Sequence, residues 1–161
     1  MLFGLANGVN TIPKALSTER ATLTNHDGLN AHGFDFPTNG SGSPDSRASA
    51  ATTIKLLTFM SGQRTFASYF DSLPILGVDG SLAGVGTDSP ARGKVFAKTG
   101  TFLDQSGIRA QVVAGYIDAL SGRRLAFALY VSDAGEIADI SDVIGVIQDE
   151  GQISTIIYQM N

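Results

Sequence analysis

Gly93-Lys94-Val95-Phe96-Ala97-Lys98-Thr99-Gly100-Thr101 is the stretch on which the reading of this chain turns. Apolar residues from Val95 to Ala97 give it a strand-like start, and Lys98-Thr99-Gly100-Thr101 closes it. A lone lysine buried on such a strand is costly unless an anionic group meets it. On an ideal strand Lys98 and Gly100 point to the same face. The plainer reading is a lysine guarding a sheet edge, a common device against aggregation. Lys-Thr-Gly alone is a weak signal, so the neighbouring sequence has to decide.

Two further strands follow, over Gln111–Ala119 and Arg123–Asp133, joined by the tight hairpin signal Leu120-Ser121-Gly122. In the last of these Leu125, Phe127, Leu129 and Val131 alternate with Ala126, Ala128 and Tyr130, and the small residues suggest close packing on that face. Beyond Gly135, the spacing of Ile137, Ile140, Ile144 and Ile147 predicts an amphipathic helix, which Gly151 interrupts before Ile153–Tyr158. Upstream, residues 75–93 are punctuated by glycine and proline. A short helix over Phe66–Leu73 stops before Pro74, as the restriction on pre-proline residues requires. A longer helix runs from Ser46 or Ser49 to Met60. Ser49 is its cap, Gly62 its stop, and Ala50, Ile54, Leu57 and Phe59 form one face. Residues 25–46, dense in Gly, Asn, Asp, Pro and Ser, read as loop, and Pro13–Leu23 as a first helix.

The 161 residues suit one domain with a real core. Charged residues make up 16% of the chain, against about 25% in globular proteins generally, and glycine contributes 19 positions, so a loop-rich domain is expected. A net charge of -4 gives no electrostatic reason to expect nucleic acid as a partner. No apolar run approaches the ~20 residues that span a bilayer. Cysteine is absent, which excludes disulfides, zinc-thiolate sites and thiol nucleophiles. His26 and His32 lie in the polar loop without companion ligands, so a structural or solvent-exposed role is expected rather than a metal site. Met1-Leu2-Phe3-Gly4-Leu5-Ala6 lacks the charged leader and cleavage site of a signal peptide, and a leader is expected to belong to sequence upstream.

Several stretches together resemble the D-alanyl-D-alanine carboxypeptidases of peptidase family S13, the class C low-molecular-mass penicillin-binding proteins. Asn39-Gly40-Ser41-Gly42 is similar to that family's Asp-Gly-Ser-Gly loop, with asparagine in place of the aspartate. Arg47 is similar to the arginine that closes the loop. Leu73-Pro74-Ile75-Leu76-Gly77-Val78-Asp79-Gly80-Ser81-Leu82 resembles the Leu-Pro-x-x-Gly-x-Asp-Gly-Thr-Leu segment, and Gly93–Thr101 the Lys-Thr-Gly-Thr strand. Ala114-Gly115-Tyr116, Ser121-Gly122-Arg123 and Leu125-Ala126-Phe127 resemble the hairpin. The likeness covers most of residues 34–150 and implies an α/β (α+β) fold of the β-lactamase and penicillin-binding type. Residues 1–161 would then be the C-terminal part of a D,D-peptidase domain, an antiparallel sheet flanked by helices. By family order the third strand pairs with N-terminal strands, so its edge is expected to be free for an N-terminal fragment or a second copy.

The family's other signatures, Ser-x-x-Lys and a Ser-x-Asn or Tyr-x-Asn element, occur nowhere in this sequence. Ser17-Thr18-Glu19-Arg20 is the nearest approximation, and arginine cannot act as base because it stays protonated. The resemblance implies acyl transfer from the D-Ala-D-Ala end of a peptidoglycan stem peptide to serine and then to water, with no metal or cofactor. It gives Lys98 the task of binding the terminal carboxylate, and Thr99 and Thr101 that of offering hydroxyls to it. Gly100 would allow close approach, and the Thr101 N–H would be one oxyanion donor, a group whose loss usually lowers rate about 10²–10³-fold. Arg47 would be a further substrate contact. Phe102 and Leu103 either line the substrate pocket or belong to the core. Ser41, in Gly40-Ser41-Gly42, has no preceding strand and no acid-base partner, so a turn role is expected. The chain by itself is expected to be inactive, and the intact enzyme to act in the periplasmic or extracellular envelope of a bacterium, with a peptidoglycan peptide or β-lactam as ligand. The rival readings are a serine β-lactamase or esterase on the same scaffold, and a non-catalytic remnant that binds peptidoglycan or a partner chain.

Overall fold

The computed structural model describes residues 8–25, 27–38, 44–105 and 107–161. The Asn39-Gly40-Ser41-Gly42 loop, His26 and the first seven residues lie outside the described residues. The chain divides into two compact units, Met1–Phe59 and Met60–Asn161.

In the first unit the expected early helix forms as α1, Ile12–Asn25. Its threonines bond back to carbonyls one turn earlier, Thr18 to Lys14 at 2.8 Å and Thr22 to Thr18 at 3.0 Å, which keeps these poor helix formers within the helix. Residues 25–46 are not loop throughout. Strand β1, Phe34–Asp35, pairs antiparallel with β2, Arg47–Ala48. Two residues per strand are too few for a readable alternation, so neighbouring groups hold the pair. The Arg20 guanidinium lies 5.1 Å from the Phe34 ring centre and donates to the Ala31 carbonyl at 2.7 Å. Helix α2, Ala50–Ser61, starts where expected, the Ser49 hydroxyl accepting from the Thr52 N–H at 3.2 Å. Its buried positions are Thr52 and Leu57, whereas Ile54 is exposed. The apolar face read from the sequence is therefore displaced, because Gly33 packs on Thr52: a Cβ there would lie 2.0 Å from the threonine oxygen.

The second unit begins with a short helix α3, Phe66–Asp71. An irregular segment follows, with one 3₁₀ turn at Gly80–Leu82. Three antiparallel strands come next, β3 (Val95–Asp104), β4 (Gly107–Asp118) and β5 (Arg124–Gly135), in the spatial order β3-β4-β5. All three outrun their expected ends, since the β3–β4 ladder continues to Asp104↔Gly107 past a register shift at Phe102/Leu103. Gly122, at φ +85°, makes the β4–β5 turn. Register partners Phe96↔Tyr116, Lys98↔Ala114 and Gly100↔Val112 occupy one face; Ala97↔Gly115, Thr99↔Val113 and Thr101↔Gln111 occupy the other. Helix α3 covers the Phe96 end of the first face, where Phe70 stacks on Phe96 at 4.3 Å and Arg124 lies 3.9 Å from the Phe70 ring centre.

Helix α4, Ile140–Met160, packs on β4 across the second face. It runs unbroken through Gly151, contrary to the interruption expected there. A Cβ on Gly151 would lie 2.5 Å from the Val85 side chain, so glycine here serves close packing rather than a stop. The isoleucine stripe is also misleading: Ile140, Ile144, Ile153 and Ile156 are exposed, while Val143, Glu150, Gly151 and Ser154 are buried. Ile147 and Ile157 pack against a core built on Leu76, Val95, Ala97, Val113, Ile117 and Phe127.

Glu150, only 1% exposed, is the charged residue inside this core. Its Oε2 accepts from Gln111 Nε2 at 3.1 Å, while Oε1 has no hydrogen-bond partner. Burial pushes the carboxyl up to about 7 from 4.5, the Gln111 bond opposing only part of the shift. Between pH 4.5 and about 7 the folded chain therefore holds a proton that the unfolded chain has released, and stability falls as pH rises through this window. The expected loss is on the order of 3 kcal/mol. Urea unfolding at a series of pH values checks it, with Glu150→Gln removing this slope; identical slopes for the two proteins would contradict the assignment.

Candidate active site

Strand β3 forms one edge of the sheet, and among the described residues its outer side is paired only at its start. Ile75 bridges to Phe96, with the Leu76 N–H donating to the Val95 carbonyl and the Ala97 N–H to the Pro74 carbonyl, both at 2.9 Å. Outward-facing backbone groups therefore belong to the odd-numbered residues, while the even ones bond to β4. The same alternation turns the N–H and C=O of Thr99 and Thr101 away from β4, toward an edge that no strand covers among the described residues of this unit. The backbone donor that the resemblance assigns to Thr101 is thus on the open side.

Lys98 is exposed, on the opposite face from the Thr101 side chain, and its ammonium donates to the outward carbonyl of Thr99. It does not sit in an enclosed groove. The two cavities described in this unit lie elsewhere, one at the hairpin end beside Lys94, Asp118 and Tyr158, the other inside the core against Glu150. Exposure on an edge strand is also what a guarding lysine shows. A Cβ built on Gly100 meets nothing within 4 Å, so packing within the described residues gives no reason for glycine there. Gly115 shows the contrast, because its Cβ would lie 2.0 Å from the Phe96 carbonyl oxygen.

Thr99 is half-buried and Thr101 exposed, their side chains on the face that α4 covers further along. The Thr101 hydroxyl donates to Gln111 Oε1, which commits its proton within the fold. Phe102 and Leu103 are 38% and 44% exposed, so they are not core. Arg109 clamps the far end of the sheet, pairing with Asp133 at 2.7 Å and Asp104 at 3.5 Å. Arg47 belongs to the first unit, exposed on β2 with Asp35 as its register partner. His32 is exposed, and among the described residues no group of three His, Cys, Asp or Glu side chains is placed to hold a metal ion. None of the described helices is long and apolar enough to cross a membrane.

Sequence reading missed Gln111 and Glu150. The available signals were a lone polar residue facing the core on β4, and a carboxylate on the same helical stripe as Val143, Ile147 and Ser154.

What the edge offers chemically is a set of hydrogen-bond donors and one cation within four consecutive residues, suited to a carboxylate or a developing oxyanion. The family model of the D-Ala-D-Ala carboxypeptidase 3 (S13) family matches residues 5–150. Two solved structures of penicillin binding protein 4 (dacB) from Haemophilus influenzae are similar to the chain. One is 20% identical with a TM-score of 0.65, covering 86% of this chain and 30% of its own. The other, complexed with a novel β-lactam, is 19% identical with a TM-score of 0.68, covering 90% of this chain and 33% of its own. At that identity the likeness shows the fold, a mixed α+β arrangement of antiparallel sheet and helices, and the chain spans about a third of the proteins it resembles. No curated protein sequence matches it. With a family model matched over nearly its whole length, the chain belongs to the D-Ala-D-Ala carboxypeptidase 3 (S13) family.

Proposed function

We propose that this chain is the carboxylate- and oxyanion-binding part of a serine-type D-Ala-D-Ala carboxypeptidase acting on peptidoglycan stem peptides in a bacterial cell envelope. One observation carries the reading: the Thr99 and Thr101 backbone groups face an uncovered edge beside Lys98 and a glycine that nothing in the described fold requires. Lys98 binds the terminal carboxylate of the stem peptide, helped by Thr99. Gly100 leaves room for the peptide to lie against the strand. The Thr101 N–H stabilises the oxyanion of the tetrahedral intermediate, and Phe102 and Leu103 are further substrate contacts. The Ser-x-x-Lys nucleophile and base lie outside these 161 residues, because no serine here is followed three positions on by lysine. An activated serine needs such an adjacent base.

The outer edge of β5 has no partner strand among the described residues. A separate N-terminal fragment or a second copy completes the sheet there, since unpaired edges invite strand addition.

Three measurements test this reading. Benzylpenicillin incubated with the chain is expected to leave its intact mass unchanged; a stoichiometric adduct would place the nucleophile within the chain. N-acetyl-D-alanyl-D-alanine is expected to bind reversibly, and Lys98→Met to weaken it about tenfold or more through loss of a charge-assisted hydrogen bond; unchanged affinity would remove Lys98 from the site. Sedimentation is expected to show self-association, or assembly once an N-terminal fragment of a family member is added. A persistent monomer in both cases counts against the edge.

A further inference from the structure

Three side chains from three elements form a continuous polar path from the sheet edge into the core. The Thr101 hydroxyl on β3 donates to Gln111 Oε1 on β4, and Gln111 Nε2 donates to Glu150 Oε2 on α4 at 3.1 Å. Gln111 is fully buried and Glu150 nearly so, whereas Thr101 remains exposed. The second oxygen of Glu150 has no hydrogen-bond partner, and the carboxyl borders a cavity too narrow for a water molecule.

Everything else around this carboxyl is uncharged. The irregular segment contributes Leu76 and Leu82, β3 contributes Val95, and β4 contributes Val113 beside Gln111. On its own helix Ile147 and Gly151 are apolar, and the Ser154 hydroxyl donates to the Glu150 backbone carbonyl rather than to its side chain. No titratable or charged side chain faces it from any of these elements among the described residues, which leaves Gln111 as its one polar partner.

An amide is a donor at one end and an acceptor at the other, so Gln111 must match both neighbours at once. With Glu150 ionised, the carboxylate only accepts. Nε2 then faces Glu150, Oε1 faces Thr101, and the threonine proton is consumed inside the fold, which is the arrangement observed. With Glu150 protonated, an O–H left pointing into the apolar cavity is penalised. Rotating the Gln111 amide removes that penalty: Oε1 accepts the Glu150 proton, and Nε2 donates to Thr101 Oγ1. Thr101 is then free to donate outward. We propose that Gln111 and Glu150 are positioning residues for the β3 edge, and that the proton on Glu150 decides whether the Thr101 hydroxyl presents a hydrogen or a lone pair to a bound carboxylate. The ligand half of this proposal rests on the carboxylate-binding reading given above; the relay half does not. Burial of Glu150 raises its carboxyl to about 7, which places the change near neutrality.

The test uses the whole chain and N-acetyl-D-alanyl-D-alanine, with NMR of Glu150 labelled at its carboxyl carbon, the Gln111 side-chain amide and the Thr101 backbone amide. Without ligand, all three signals are expected to move together through one midpoint near pH 7, and the Gln111 and Thr101 steps to vanish in Glu150→Gln. With ligand, affinity at pH 5.5 is expected to exceed that at pH 8.5 about fivefold, the ratio falling to about one in Glu150→Gln. Both proteins carry the same histidines, so any contribution from those cancels. Coupled titration without ligand binding at either pH would support the relay and sink the carboxylate reading instead. A Glu150 carboxyl that titrates while Gln111 and Thr101 stay still, or a ligand affinity with equal pH dependence in both proteins, overturns the proposal. The ligand-free titration of the unmodified chain decides the matter even if Glu150→Gln fails to fold.

Discussion

The ladder between β3 and β4 is the constraint from which the second unit follows. Gly115 lets β4 lie so close to β3 that a single added carbon would meet the Phe96 carbonyl at 2.0 Å. The register of this ladder pairs Gly115 with Ala97 and decides which residues share a face. Because the short bridge from Ile75 ends at Phe96, the remainder of β3 is, among the described residues, bonded on one side only. Unpaired backbone groups exposed at a sheet edge are usually a hazard. In this chain they coincide with Lys98, Thr99, Gly100 and Thr101.

The core behind that edge is not uniformly apolar. Helix α4 turns Glu150 and Ser154 inward and leaves four isoleucines at the surface, the reverse of simple amphipathic packing. Gly151 makes this possible, since only a residue without a side chain lets the helix sit against Val85. A charged group buried with one partner costs stability unless it takes up a proton. Its one polar partner among the described residues, Gln111, bonds in turn to Thr101 at the sheet edge.

Family membership and activity stand on different ground. The matched family model and the shared fold locate this chain within the carboxypeptidase lineage. A hydroxyl nucleophile with its base is a separate requirement, and the sequence holds no Ser-x-x-Lys to meet it. A donor-rich edge can bind an anion without any nucleophile. Binding and turnover are therefore separate questions for this chain.

Features encoded by neighbours in sequence were legible before any coordinates. A helix lay ahead of Pro74, though it ends at Asp71 rather than Leu73, Ser49 capped another, Gly122 turned a hairpin, and strict alternation from Leu125 to Val131 marked a strand. Lys98 to Thr101 could likewise be singled out, because a motif is contiguous by definition. Contacts between residues far apart could not be read in this way. Nothing local distinguishes Gly151 as a packing glycine from Gly151 as a helix stop; Val85, from a different segment, decides it. Strand β1 meets Arg20 of α1, which lies over Phe34 and bonds to Ala31, a contact that no local pattern announces. Thr101, Gln111 and Glu150 lie on three separate elements, and only the packing of α4 on β4 brings hydroxyl, amide and carboxyl into one hydrogen-bonded line. Short-range sterics wrote the elements into the sequence, while long-range packing chose their partners.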